Sequence, residues 1–147
     1  MAFFTDYTTL QATIANYLAR DDLTATIPEF IRLAEDRLAR DLRIRPMLKI
    51  VTTTTTSADG TVEIPADFLA MKDLHISSTD PIQTVTFQSP SNFFRNTRAT
   101  ASGLPVFYTA LGQEFRFAPI PDTAYTLQML YYYKPAYMSS TVSSNLW

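Results

Sequence analysis

TATIPEFIRLAEDRLARDLRIR, residues 24–45, holds the longest helical period in the chain. Its apolar residues fall at Ile27, Phe30, Ile31, Ala34, Leu38 and Leu42. Steps of three and four residues put them in one stripe on a helix of 3.6 residues per turn. Thr26 and Glu29 have capping-box spacing, in which each side chain satisfies an amide that the first turn leaves unpaired. Pro28 falls in that first turn, where a missing N–H removes no helical bond. Pro46 predicts the end of the helix, because a proline pushes the residue before it out of the helical region. The other face carries Arg32, Arg37, Arg40, Arg43 and Arg45, interrupted by Glu35, Asp36 and Asp41. Two readings fit that face. It is a solvated surface held by i,i+4 pairs such as Asp36 with Arg40, or a docking surface for an acidic partner.

Upstream, the period predicts a first helix from about Thr8 or Thr9 to Arg20, with Leu10, Ile14, Tyr17 and Leu18 on one face. Asp21 and Asp22 break it. Two helices joined by so short a loop are expected to pack as a hairpin with facing apolar stripes.

Downstream of Pro46 the period changes to two. Residues 47–56, MLKIVTTTTT, are dense in β-branched side chains, which suit a pleated surface. Asp59-Gly60 is a turn signal, so residues 61–64 read as the returning strand of a hairpin. Residues 65–69 read as a turn or a single helical turn, and 74–76 as a short strand. Asp80-Pro81 turns the chain into an alternating strand over 82–87. A short helix is predicted from Ser89 to about Arg98, anchored by Phe93 and Phe94. Residues 99–103 are a loop. Residues 106–111 and 114–118 form a second hairpin around Gly112-Gln113. Residues 125–133 are the strongest strand, with Leu127, Met129 and Tyr131 alternating against Gln128, Leu130 and Tyr132.

The expected fold is therefore α+β: an N-terminal helical hairpin (1–46), then an antiparallel β-sheet or sandwich with one short inserted helix (47–137), then an irregular segment (138–147). The strands are expected to run as a meander.

The 147 residues suffice for one domain with a core; 46% are hydrophobic and 18% charged, which is ordinary for a globular chain. A net charge of -2 argues against a general nucleic-acid binder. Yet six of the 12 Lys and Arg residues lie within 32–49, against three acids there, so contact with an anion would be local. The absence of Cys excludes disulfides and thiolate zinc sites. The start, MAFFTDYTT, lacks the basic region and apolar run of a signal peptide, and no stretch approaches the ~18 apolar residues of a membrane span. The expectation is a soluble protein made inside the cell.

Candidate chemistry is sparse. His75, the single histidine, sits between Leu74 and Ile76 and is expected on the opposite sheet face from them; no second His or Cys accompanies it. No G-x-S-x-G elbow occurs, and three glycines make no phosphate loop. Asp59, Asp67, Asp73, Asp80 and Asp122 stand singly at turns, where acids serve turn geometry. Neither catalysis nor a cofactor or metal is expected. Tyr131, Tyr132 and Tyr133 cannot all face one core, so at least one tyrosine side is expected outside as an interface anchor, unless helices cover both faces.

The order of motifs resembles that of bacteriophage head-to-tail adaptor (connector) proteins. IPEFIRLAEDRLARDLRIRPM is similar to their N-terminal signature. DGTVEIPADFLAMKDLHI resembles their turn, strand and "LPADFLE" segment, and GLPVFYTALGQEFRFAPIPDTAYTLQMLYYYKP their hairpin and Tyr-rich strand. The matched segments spread over residues 7–147. The resemblance implies a structural virion protein, made in the host bacterial cytoplasm and located at the head–tail interface. It implies a ring of identical subunits, usually dodecameric, that binds the portal protein above and a tail or nozzle protein below. Genomic DNA passes through such a ring, with transient nonspecific contact and no membrane involved. Arg32, Arg37, Arg40, Arg43 and Arg45 match the family's arginine-rich helix and become candidate portal or DNA-channel contacts. Family members continue past this region into a C-terminal helical segment, whereas this sequence stops at Trp147; a truncated chain is one expectation. The alternatives are a tail-tube or stopper-type structural protein, and a carbohydrate-binding β module using the Tyr strand and Trp147.

Overall fold

The computed structural model describes residues 6–20, 22–55, 60–96 and 101–142. Asp21, Thr56, Asp59, Arg98 and Trp147 lie outside the described residues. The chain divides into two units, one comprising residues 1–47 with 134–147, the other residues 48–133.

The first unit holds helices α1 (Tyr7–Leu18) and α2 (Ile27–Asp41), and a 3-10 turn at Arg45–Met47. A capping box does form, but at α1: the Asp6 carboxylate accepts from the Thr9 amide at 2.8 Å, and the Asp6 amide donates to the Thr9 hydroxyl at 3.0 Å. The box expected at Thr26 and Glu29 is absent. Thr26 is already helical (φ -95°, ψ -20°), and its side chain makes no capping bond. An N-cap needs an extended residue whose side chain can reach back over the first turn. Pro28 sits in the first turn as expected. The helix stops at Asp41, five residues before Pro46, because Leu42 is extended (φ -99°, ψ 142°).

The buried line on α2 is Ile27, Ile31, Glu35 and Ala39, at steady four-residue steps. The predicted stripe is rotated away from it. Ile27 and Ile31 belong to both, but Phe30 is 47% exposed and Ala34 is exposed, while Leu38 is half-buried. Leu10 and Ile14 of α1 meet Phe30, Ala34 and Leu38 across an open groove of about 310 Å³. The helices therefore face each other without closing. α1 has no buried residue, and Tyr17 stands 89% exposed. Leu38→Ala is accordingly expected to cost about 1–2 kcal/mol, below the range for a fully buried leucine. Urea titration of the purified chain checks this; a loss above about 4 kcal/mol would mean that the groove is filled in solution.

The second unit is a two-sheet sandwich. Its strands, in chain order, are β1 (Leu48–Thr54), β2 (Thr61–Glu63), β3 (Phe68–Ile76), β4 (Gln83–Thr84), β5 (Thr86–Phe87), β6 (Phe107–Leu111), β7 (Glu114–Ala118) and β8 (Thr126–Tyr133). One sheet has the order β1-β8-β3-β4 and the other β2-β7-β6-β5. A short helix, α3 (Pro90–Asn96), lies between β5 and β6 in sequence. The α+β class holds.

The connections differ from the predicted meander. β1 and β2 do not form a hairpin: β1 pairs with β8, and β2 pairs with β7 in the other sheet. Gly60 makes the change of sheet possible at φ +58°; a Cβ there would meet Pro121 Cδ at 3.2 Å, and its carbonyl accepts from the Phe117 amide. The expected strand over 82–87 is split. Val85, 3% exposed, enters the core between β4 of one sheet and β5 of the other, and β5 joins β6 in parallel. Of the turn expected over 65–69, residues 66 and 67 do turn, but Phe68 and Leu69 already belong to a nine-residue strand that reaches back from the expected 74–76. Register shifts at Phe68/Ala70 and Met71/Asp73 interrupt the period-two pattern that would have revealed it. The β6–β7 hairpin turns at Gly112 (φ +63°), as expected.

Leu74, Ile76, Leu127, Met129 and Tyr131 from the first sheet meet Val62, Tyr108, Phe115 and Phe117 from the second. Edge-to-face pairs join Phe115 to Phe68 at 5.4 Å and to Tyr108 at 5.7 Å. The Tyr131 hydroxyl keeps a partner while buried, donating to Asp67 Oδ1 at 2.8 Å; Lys49 Nζ donates to Asp67 Oδ2 at 2.7 Å. Desolvation pushes the Asp67 carboxyl up, but the bonds from Lys49 and Tyr131 outweigh it and leave it below its ordinary 3.8. A lowered carboxyl stabilises the fold above the unfolded pKa, and that contribution is lost as pH falls through the folded one. The melting-point gap between the parent chain and Asp67→Asn is expected to be full above about pH 5 and to narrow below pH 3.8. A gap that widens on acidification would contradict the assignment.

Candidate docking face of the helical unit

The five arginines share exposure but not surroundings. Four-residue burial on α2 turns the opposite side outward, and that side carries Arg37, Arg40 and, between them, Leu33 at 66% exposure. The Asp36–Arg40 pair expected from spacing is not formed. Asp41 is the acid that faces these arginines, 3.7 Å from Arg37 Nε and 4.0 Å from Arg40 Nε. All three side chains are more than half exposed, so these pairs add little stability and leave the charges available.

Arg43 has a structural task. With Leu42 extended, the last carbonyls of α2 lose their helical donors. Arg43 Nη1 donates to Ala39 O at 2.6 Å and to Leu42 O at 2.7 Å, and its charge opposes the negative end of the helix. Arg43→Ala is expected to cost about 0.5–1 kcal/mol and to fray the last turn. Calorimetry and amide exchange in residues 38–42 would check it; an unchanged melt and unchanged exchange would remove the capping role. Arg45 lies exposed in the 3-10 turn.

Asp36 is taken instead by the C-terminal stretch of the same unit. Lys134 Nζ donates to Asp36 Oδ1 at 2.8 Å and the Tyr137 hydroxyl donates to the same oxygen. The Lys134 bond first, then that of Tyr137, holds the Asp36 carboxyl below its usual range, while Asp36 raises Lys134. The Arg32 guanidinium lies 4.7 Å from the centre of the Tyr137 ring, a cation–π contact. The buried Glu35 accepts from the Met138 amide at 3.1 Å. Residues 134–138 thus strap across one side of α2 and leave the Arg37–Leu33–Arg40 side uncovered by these contacts. Sequence reasoning missed Glu35, Asp36, Lys134 and Tyr137 as a cluster. Two adjacent acids in the middle of an apolar-striped helix were the one available signal, and it does not name partners about a hundred positions away.

The tyrosine triplet divides by strand alternation. Tyr131 is fully buried, whereas Tyr132 and Tyr133 are half-buried. Lys72 Nζ lies 6.0 Å from the Tyr132 ring and Lys49 Nζ 5.8 Å from the Tyr133 ring. Only Tyr132 and Tyr133 of the triplet therefore keep accessible surface. His75 lies between two buried residues, Leu74 and Ile76, and is itself only partly covered. Its Nδ1 is 3.2 Å from Asp73 Oδ2 and its Nε2 3.0 Å from Gln128 Oε1. Among the described residues no group of three His, Cys, Asp or Glu could hold a metal ion, and no helix is long and apolar enough to cross a membrane.

The model of the SU10 adaptor protein family matches residues 5–147. No curated protein matches the chain.

Proposed function

The chain belongs to the SU10 adaptor protein family, and from that premise we propose that it is a structural, non-enzymatic adaptor of a phage particle. Its identical copies form a ring, usually of twelve in such assemblies, between the portal protein and a tail or nozzle protein. Genomic DNA passes through the ring.

The observation that carries this reading is the apolar surface left on the helical unit. α1 buries none of its residues, and Tyr17, Leu33 and Phe30 stand 89%, 66% and 47% exposed. A helix of 12 residues is marginal by itself and takes its stability from packing. Phe30 and Leu33, three residues apart on α2, are neighbours on its surface, and adjacent exposed apolar side chains mark a surface that is covered in an assembly. The charges around Leu33 favour a protein partner over DNA. Asp41 is exposed beside Arg37 and Arg40 and would repel phosphates, whereas a face of both signs suits a protein. We assign Arg37 and Arg40 to portal contact on that ground, with Tyr132 and Tyr133 as interface aromatics elsewhere on the subunit.

The test is the mass of the purified chain, alone and mixed with its portal protein, by light scattering coupled to size exclusion. A complex carrying multiple copies of the chain per portal ring supports the reading. A chain that stays monomeric and elutes apart from the portal at micromolar concentration overturns it.

A further inference from the structure

Sheet edges present backbone N–H and C=O groups that can pair with another chain, and proteins protect them by shortening, charging or kinking the edge strand. Among the described residues the edge strands β4 and β5 have two residues each and β2 has three; β4 pairs only His75 and Ile76 of β3, and the outer side of β3 before them is broken by register shifts at Phe68/Ala70 and Met71/Asp73. The long, regular edge is β1, with seven residues. It runs against β8 without a register shift from Leu48↔Tyr132 to Thr54↔Thr126. It contains no proline, and Lys49 is its single charge.

The direction of its backbone groups follows from one bond. The Thr55 amide donates to Tyr125 O at 2.9 Å. Opposed residues of an antiparallel ladder alternate between bonded and non-bonded pairs. Thr53, Val51 and Lys49 therefore turn their polar groups to β8, and Thr54, Thr52, Ile50 and Leu48 turn theirs to the open side. Ile50 is 66% exposed, and Thr52 and Thr54 are exposed as well.

We infer that β1 is a docking edge for an extended segment of a different virion protein, which adds to the Leu48–Thr54 strand as a further strand. The donor–acceptor spacing requires an extended chain, because only a strand meets outward groups at every second residue. A strand with one charge at its end and Ile50 among threonines fits a neutral partner with β-branched or aliphatic residues at alternate positions. A second copy supplies no regular matching edge: β2, β4 and β5 have two or three residues, the outer side of β3 is broken by two register shifts, and β1 against β1 is a two-fold contact that does not propagate around a ring. That exclusion rests on the ring reading above.

The test is amide hydrogen exchange on the full chain in two states, alone and within purified head–tail complexes. The amides of Ile50, Thr52 and Thr54 are expected to exchange fast in the chain alone and about a hundredfold slower in the complexes, with Val51 and Thr53 protected in both. Equal exchange in both states overturns the inference. So does protection already present in an oligomer of the chain alone, which would make a second copy the occupant. Thr52→Pro removes one outward N–H and leaves the β8 ladder intact. It is expected to preserve the ring mass and to lower the number of tailed particles at least tenfold, while Thr52→Val preserves both. If Thr52→Pro does not fold, Thr52→Lys blocks the edge by charge, and undiminished tailing then counts against the inference. Loss of ring mass in the parent chain would instead strike the adaptor reading itself.

Discussion

Phe115→Ala is expected to destabilise the chain by about 3–5 kcal/mol, the range for removing a buried aromatic ring and leaving a cavity. Phe115 is 1% exposed and lies on β7, between β2 and β6. It meets Phe68 of the opposite sheet and Tyr108 of its own edge-to-face, so both contacts are lost together. A loss of this size is a large fraction of a small domain's total stability, and the variant should be mostly unfolded at 37 °C or recovered as aggregate. Phe94→Ala is the control, because Phe94 is 58% exposed and its removal should cost less than about 1 kcal/mol. Chemical denaturation of both variants decides the matter. Equal, small losses would mean that the two sheets do not share the core described.

The second large effect is functional. Arg37→Glu combined with Arg40→Glu should leave the fold intact, since both side chains are more than 70% exposed and their contacts to Asp41 are long. Reversal places acids beside Asp41 and turns a mixed patch into a negative one, repeated in every subunit of a ring. Heads should form, while tailed particles fall at least tenfold in negative-stain counts. If the same arginines line the channel, tails should attach and the defect should appear in DNA retention or ejection. If tailing and infectivity both survive, the face is only solvated. Arg43 is unsuitable for this test because its guanidinium caps α2, and its reversal would confound docking with folding.

How far the sequence disclosed these features depends on how local each is. The β6–β7 hairpin was legible because two alternating runs flank Gly112-Gln113, and β8 because Leu127, Met129 and Tyr131 alternate without interruption. The partner of β1 was not legible. Thr54 opposes Thr126 across most of the second unit, and the nearer turn signal at Asp59-Gly60 suggested a local hairpin instead. The start of β3 was hidden because two register shifts break its period. On α2, periodicity found the helix and two of its buried residues, Ile27 and Ile31, but rotated the rest of the stripe towards Phe30 and Ala34. The spacing of Phe30, Ala34 and Leu38 marks an apolar surface, yet says nothing about whether a neighbour covers it. The arginines were visible as a cluster, but their division was not. Arg43 turns to the helix end only because Leu42 leaves the helix, and Arg32 lies on Tyr137 only because residues 134–138 return to α2.

A symmetric reconstruction of the head–tail vertex tests the central claim most directly. The adaptor account predicts a closed ring of copies of this chain between portal and tail, in which each subunit shows the two-sheet sandwich. In that ring the Arg37–Leu33–Arg40 side of α2 should be buried against the portal. A vertex in which the portal meets the tail with no density for this chain between them would contradict it.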